Sequence, residues 1–165
     1  MKKIALFLMM LLPLGVIAQK QQDMSKYLAG AVPTQNGIVI FEKSFEVPGK
    51  NKAEIYEGLK TYFSENILQG ENVLPQTRIQ EEQPEAGTIA IAVEEYLYFK
   101  RKPLVTDGTR FYYQLVAQAE DGKFTISMRR IRYIYDLTET PSTEANPDAC
   151  FTAEKWITDK EALNK

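Results

Sequence analysis

Odd-numbered positions from Ile89 to Phe99 are nearly all apolar: Ile89, Ile91, Val93, Leu97 and Phe99 share one side of "TIAIAVEEYLYFK". Period-two alternation over that length predicts a long β-strand with one face in a core. Before it, "TRIQEE" predicts a short strand and "PEAG" a turn. After it, "RKPLVTDGT" reads as a loop, because Pro103 and Asp107-Gly108 interrupt the alternation. "RFYYQLVAQAE" resumes the period, with Phe111, Tyr113, Leu115 and Ala117 on one side. Asp121-Gly122 is then a two-residue hairpin signal leading into "KFTISMRRIRYIYD". Short connections between such strands predict an antiparallel meander.

Upstream, "GIVIFEKSFEVPG" predicts one strand with Val39, Phe41, Phe45 and Val47 in phase. The period then changes. In "NKAEIYEGLKTYFSENILQG", Ile55, Leu59, Tyr62, Phe63 and Ile67 recur at helical spacing. Asn51 and Glu54 have the spacing of a capping box, and Gly70 is placed to end the helix. "LTETPSTEANPDAC" reads as a loop. A last helix, "AEKWITDKEALNK", is capped by Thr152, stapled by Phe151 and Trp156, and expected to re-start at Thr158. The pattern predicts an α+β domain: a curved antiparallel sheet with two helices on one face, in the order β-α-β-β-β-β-α.

The last long strand contains a conflict of phase. Phe124, Ile126 and Met128 share a face, and continuing that phase puts Arg130 and Arg132 inward and Ile131, Tyr133 and Tyr135 outward. A β-bulge near Arg129 or Arg130 resolves it, returning Ile131, Tyr133 and Tyr135 to the core side. The arginines then form a solvated face, with their stems over aromatic rings.

Residues 1–18, "MKKIALFLMMLLPLGVIA", have the form of a cleavable export signal: Lys2 and Lys3, an apolar run, and a small-residue ending. The run is short for a membrane span and is broken by Pro13. The expected cut follows Ala18, giving a periplasmic or secreted mature chain without a transmembrane segment. Residues 19–36 are expected to be a flexible leader, and residues 37–165 a single domain. Loss of Lys2 and Lys3 takes the 20 basic residues to 18, against 22 acidic ones, a net charge of −4. An exported, mildly acidic chain is a poor binder of nucleic acid, which is read through a broad positive field. Cys150 is the single cysteine and is expected to be a small buried apolar residue.

Chemistry is limited by composition. The chain has no histidine, which removes histidine-based triads and histidine metal sites. The carboxylate doublets Glu81-Glu82 and Glu94-Glu95 cannot act together, because neighbours in a strand point to opposite faces. Glu95 falls in phase with Val93 and Leu97, so a second bulge or an ion pair with a strand arginine is expected there. Gly49, Gly70, Gly87, Gly108 and Gly122 all fall at expected turns, so none builds a phosphate loop. No catalytic, cofactor-binding or metal-binding residue is assigned. The candidate interaction surface is Tyr96, Tyr98, Tyr112, Arg130 and Arg132. The reading is a non-catalytic binding or interaction module. The alternative is a carrier holding a small apolar ligand between Ile55, Leu59, Phe63 and the sheet.

The segments "NGIVIFEKSFEVPGKNKAEIYEGLKTYF" and "TAEKWITDKEAL", with the tyrosine-rich strands between them, resemble a domain-of-unknown-function family. Its markers here are the "GxVxFxKxFxVPG" strand, the helix that follows and the tryptophan helix. The resemblance covers roughly residues 35–163. It implies an exported protein of Bacteroidetes with a TATA-binding-protein-like fold. That family carries no assigned activity, so the resemblance implies no functional residue.

Overall fold

The computed structural model describes residues 30–103, 105–135 and 150–158. The export signal at 1–18, the leader up to residue 29, most of the 137–150 loop and the C-terminal helix beyond residue 158 lie outside the described residues. The elements run β1 (Thr34–Gln35), β2 (Ile38–Val39), β3 (Phe41–Glu46), α1 (Lys52–Tyr62), β4 (Arg78–Gln83), β5 (Thr88–Lys102), β6 (Val105–Glu120), β7 (Lys123–Ile134), β8 (Cys150–Thr152) and α2 (Ala153–Trp156). The main sheet is antiparallel, in the order β3-β7-β6-β5-β4, with β8 on the end of β7. Four strands form the expected meander. α1 connects the two edge strands, β3 and β4, so it crosses the face of the sheet.

The long strands follow the sequence phase closely. Ile89 faces Ala117, Ile91 faces Leu115 and Val93 faces Tyr113 across β5 and β6. Ile55, Tyr56 and Leu59 of α1, with Phe63 just beyond its end, pack on this face, and Ile89, Ile91, Val93, Ala117 and Ala119 are buried beneath them. Phe63 begins a π-helical turn, Phe63–Ile67, that extends α1. Farther along the same face, Phe111, Tyr133, Trp156 and Phe151 form a chain of rings 5.3, 5.5 and 4.9 Å apart. The last of these contacts is the predicted staple, and α2 thus covers the end of the sheet that α1 does not reach.

The start of α1 is a capping box. Asn51 Oδ1 accepts from the Glu54 amide at 3.0 Å, and Glu54 Oε2 accepts from the Asn51 amide at 3.1 Å. Asp121 of the β6–β7 turn accepts from the Lys52 amide at 2.8 Å, so the hairpin also satisfies the helix end. Lys50, 2.8 Å away, and the Asn51 amide hold the Glu54 carboxyl below its ordinary pKa. A lowered folded-state pKa stabilises the fold above the ordinary carboxylate range, and the contribution disappears as pH falls through the lowered value. The difference in urea midpoint between wild type and Glu54→Ala is therefore expected to be constant near neutrality and to narrow in acid. A difference that widens on acidification would contradict this account.

Strands β5 and β6, of 15 and 16 residues, exceed the usual length and are relieved by bulges. The pairing slips at Gln80, at Phe99 and between Tyr112 and Gln114. At the last of these, Tyr113 faces both Arg130 and Ile131. Arg130 takes φ of 56°, a left-handed conformation that costs a non-glycine residue about 1–2 kcal/mol. The expected bulge is therefore present. Ile131 is buried, Tyr133 half-buried in the core and Arg130 exposed.

Four local expectations are corrected. Residues 34–35, assigned to the leader, are a strand paired with β2 through Asn36-Gly37, both at positive φ. That dipeptide is the preferred two-residue hairpin turn. Ile40, whose amide donates to the Pro33 carbonyl at 3.2 Å, separates β2 from β3. The 101–109 loop is instead a tight connection, with β5 reaching Lys102 and β6 starting at Val105. Gly108 is consequently a strand residue, where a Cβ would lie 2.8 Å from the Leu97 carbonyl oxygen. Cys150 is half-buried in β8 rather than fully enclosed, because its partner Ile134 lies at the end of β7.

Candidate binding surfaces

Two surfaces stand out, one on each side of the molecule's core. The first is a trough of about 490 Å³ between α1 and the β3–β7 edge. β3 is an edge strand, so Phe41 and Phe45, although in phase with the core, remain partly exposed at 37% each. Phe45 stacks on Phe124 at 4.9 Å and forms one wall with Ile126. Ile55, Gly58, Leu59 and Tyr62 of α1 form the other. The charged residues lining it, Lys50 and Glu54, neutralise each other. A shallower hollow continues past Phe41 and Met128, and there the Lys43 ammonium lies over the Phe45 ring, 5.1 Å from its centroid.

The expected carrier site is thus displaced. Phe63 is only 1% exposed and belongs to the core, whereas the open space lies on the flank of α1 toward β3. Gly58 was absent from the sequence reasoning. A glycine at the centre of an amphipathic helix was the signal that could have found it.

The second surface is the opposite face of the sheet. It carries several side-chain hydrogen bonds: Gln114 accepts from Arg129 Nε at 2.9 Å and donates to Gln80 at 2.7 Å, and Ser44 meets Thr125 at 2.8 Å. Of the five predicted surface residues, Tyr112, Arg130 and Arg132 line one cleft of about 330 Å³ together with Thr152 and Glu154. The Arg132 guanidinium lies over the Tyr112 ring at 4.0 Å. Tyr96 and Tyr98 stack on each other at 5.9 Å, outside that cleft, and Arg101 sits 5.0 Å over Tyr98.

The acidic doublets divide between faces as alternation requires. Glu82 meets Lys60 of α1 at 2.6 Å. Glu95 points toward the core and accepts from the Tyr113 hydroxyl at 3.1 Å, and not from an arginine. Burial, reinforced by the Glu95 carboxylate, pushes the Tyr113 phenol far above its ordinary pKa and keeps it a proton donor. The arginine ion pair belongs to Glu94, on the other face: its Oε1 is 3.2 Å from Arg110 Nη1, with both side chains buried. Glu94 stands opposite Tyr112, and Arg110 is the diagonal neighbour.

Residues 41–134 match a domain of unknown function, DUF4468, described as having a TBP-like fold. A crystal structure of a DUF4468 family protein from Bacteroides ovatus is 34% identical, with a TM-score of 0.72. That likeness covers 88% of this chain and 78% of the Bacteroides chain. The chain belongs to the DUF4468 family. A TBP-like protein from Parabacteroides distasonis shares the fold of this DUF4468 chain, with a TM-score of 0.59 at 19% identity over 81% of this chain and 78% of its own. No curated protein matches it. The expected TATA-binding-protein-like α+β fold is thereby established for this DUF4468 member, and these two solved relatives come from Bacteroides and Parabacteroides, as a Bacteroidetes family would have it. The family description names no activity, and a TBP-like fold does not imply DNA binding. Among the described residues, no helix of this DUF4468 protein is long and apolar enough to cross a membrane.

Proposed function

We propose that this protein is an exported, non-catalytic binding module whose ligand is a small apolar molecule held in the trough beside α1. Gly58 carries the reading. A glycine inside a helix costs roughly 0.5–1 kcal/mol relative to alanine. This one lines the trough, and a Cβ there would meet nothing within 4 Å. No close packing therefore demands glycine, and its missing side chain keeps the trough open. The volume of about 490 Å³ falls within the roughly 300–1,000 Å³ of small-molecule sites. Because Lys50 and Glu54 satisfy each other, an uncharged, apolar occupant fits the wall better than an ion. Export rests on the form of residues 1–18, and the non-catalytic character on the separation of the acidic doublets.

The test uses Nile red, a neutral apolar dye, with Gly58→Ala and Gly58→Leu. Gly58→Ala is expected to raise stability by roughly 0.5–1 kcal/mol in urea unfolding and to retain dye binding. Gly58→Leu is expected to fold equally well and to bind the dye at least tenfold more weakly, because the leucine occupies the trough. Undiminished binding by a folded Gly58→Leu protein would remove the trough from consideration.

A further inference from the structure

We infer that the cleft at the β7 bulge is a second site, for a compact ligand carrying an oxyanion group on a body of about monosaccharide size. The shared chemistry is a carboxylate, sulfate or phosphate held by two guanidinium groups. The inference is independent of the trough, with which the cleft shares no residue.

Four observations converge on it. First, Arg130 and Arg132 both line the cleft, and the ion pairs among the described residues involve neither of them. Second, Arg132 lies over the Tyr112 ring at 4.0 Å, which orients its planar fork and leaves edge N–H donors for a ligand. Third, Arg130 occupies a left-handed bulge position, φ 56°, that glycine fills without strain. The fold alone gives no reason for an arginine there, whereas a cleft needing a second cation does. Fourth, the remaining polar walls suit the hydroxyl groups of such a ligand, because the Glu154 carboxylate accepts hydrogen bonds and offsets only one of the two arginine charges. The Thr152 side chain makes no capping bond, and Glu154 Oε1 is engaged by the Val39 amide at 3.0 Å.

The same geometry disfavours a polyanion. The cleft holds about 330 Å³, the low end of ligand sites, which are roughly 300–1,000 Å³. Positive charge does not extend far from it along the sheet: Arg129 keeps its charge but is held by Gln114, while Arg110 is paired with Glu94 and Lys123 with Glu120. A single oxyanion can be gripped here, while a phosphate backbone would run off the patch.

The experiment follows the arginine Nε–Hε signals of the purified protein by NMR at constant ionic strength. Probes are glucuronate, glucose 6-phosphate and inorganic sulfate, with glucose as the neutral control. Saturable shifts of Arg130 and Arg132 are expected with the anions and none with glucose. Saturation by sulfate as tight as by the sugar acids assigns the site to free oxyanions. Tighter binding of a sugar acid assigns it to anionic carbohydrate. Arg130→Gly is expected to weaken binding at least tenfold while its thermal midpoint stays equal or rises. Arg132→Lys, which keeps the charge but loses the fork, is expected to weaken binding as well. The inference is overturned by wild-type binding in Arg130→Gly, by equal shifts of every arginine including Arg129, or by no saturable shift.

Discussion

Replacing Glu94 with alanine is expected to lower the free energy of unfolding by about 3–5 kcal/mol, the range for breaking a buried ion pair from one side. Glu94 is 2% exposed and the Arg110 side chain is 0% exposed, with 3.2 Å between Glu94 Oε1 and Arg110 Nη1. Removing the carboxylate takes away the counter-charge 3.2 Å from a fully buried guanidinium. The pair need not be a net source of stability, since its desolvation offsets much of the attraction. The sharper expectation is therefore non-additivity. Arg110→Met on its own and Glu94→Ala on its own each destabilise, and the double variant is less destabilised than the sum. Urea unfolding followed by circular dichroism reads all four corners of the cycle. A Glu94→Ala loss under about 1 kcal/mol would show that the pair is hydrated or readily rearranged.

The second large effect lies on the helix side. Phe63→Ala is expected to destabilise by about 3–5 kcal/mol, from lost transfer free energy and the cavity left behind. Phe63 is 1% exposed and sits where α1 passes into its π-helical turn, in the cluster with Ile55, Leu59, Ile91 and Val93. Against a typical total of about 5–15 kcal/mol, such a loss leaves a marginal fold. The neighbouring Tyr62 provides the control. It is 55% exposed, and Tyr62→Ala is expected to stay within about 0.5 kcal/mol of wild type. Equal effects at the two positions would mean that the helix face has been assigned wrongly. Tyr62 lines the trough and Phe63 does not, so the two substitutions also separate binding from stability.

The bulge at Arg130 was legible because two apolar runs of opposite phase, Phe124-Ile126-Met128 and Ile131-Tyr133-Tyr135, share one strand. Only an inserted residue lets both face a single core. The capping box and the Phe151–Trp156 staple were legible for a similar reason, since both are local contacts between residues a few positions apart. The candidate surface was legible only in part. Arg130, Arg132 and Tyr112 meet because β6 and β7 pair in one register, which places Tyr112 opposite Arg132. Tyr96 and Tyr98 share the face but stack on each other outside the cleft.

The sequence by itself determined the class of fold, the order of the main elements, the face on which most strand residues lie and the place where β7 must slip. β1, β8 and the slips at Gln80 and Phe99 were not among them. What it determined follows from periodicity and from contacts close along the chain. Tertiary structure alone decided which acid of a doublet is buried, where α1 leaves the sheet uncovered and which charged side chains share a cleft. Those outcomes depend on what a distant segment lays over each position. Glu94 and Glu95 are adjacent in the chain, yet one is sealed against Arg110 and the other meets a tyrosine in the core. Alternation fixes a side chain's direction, and only packing fixes its surroundings.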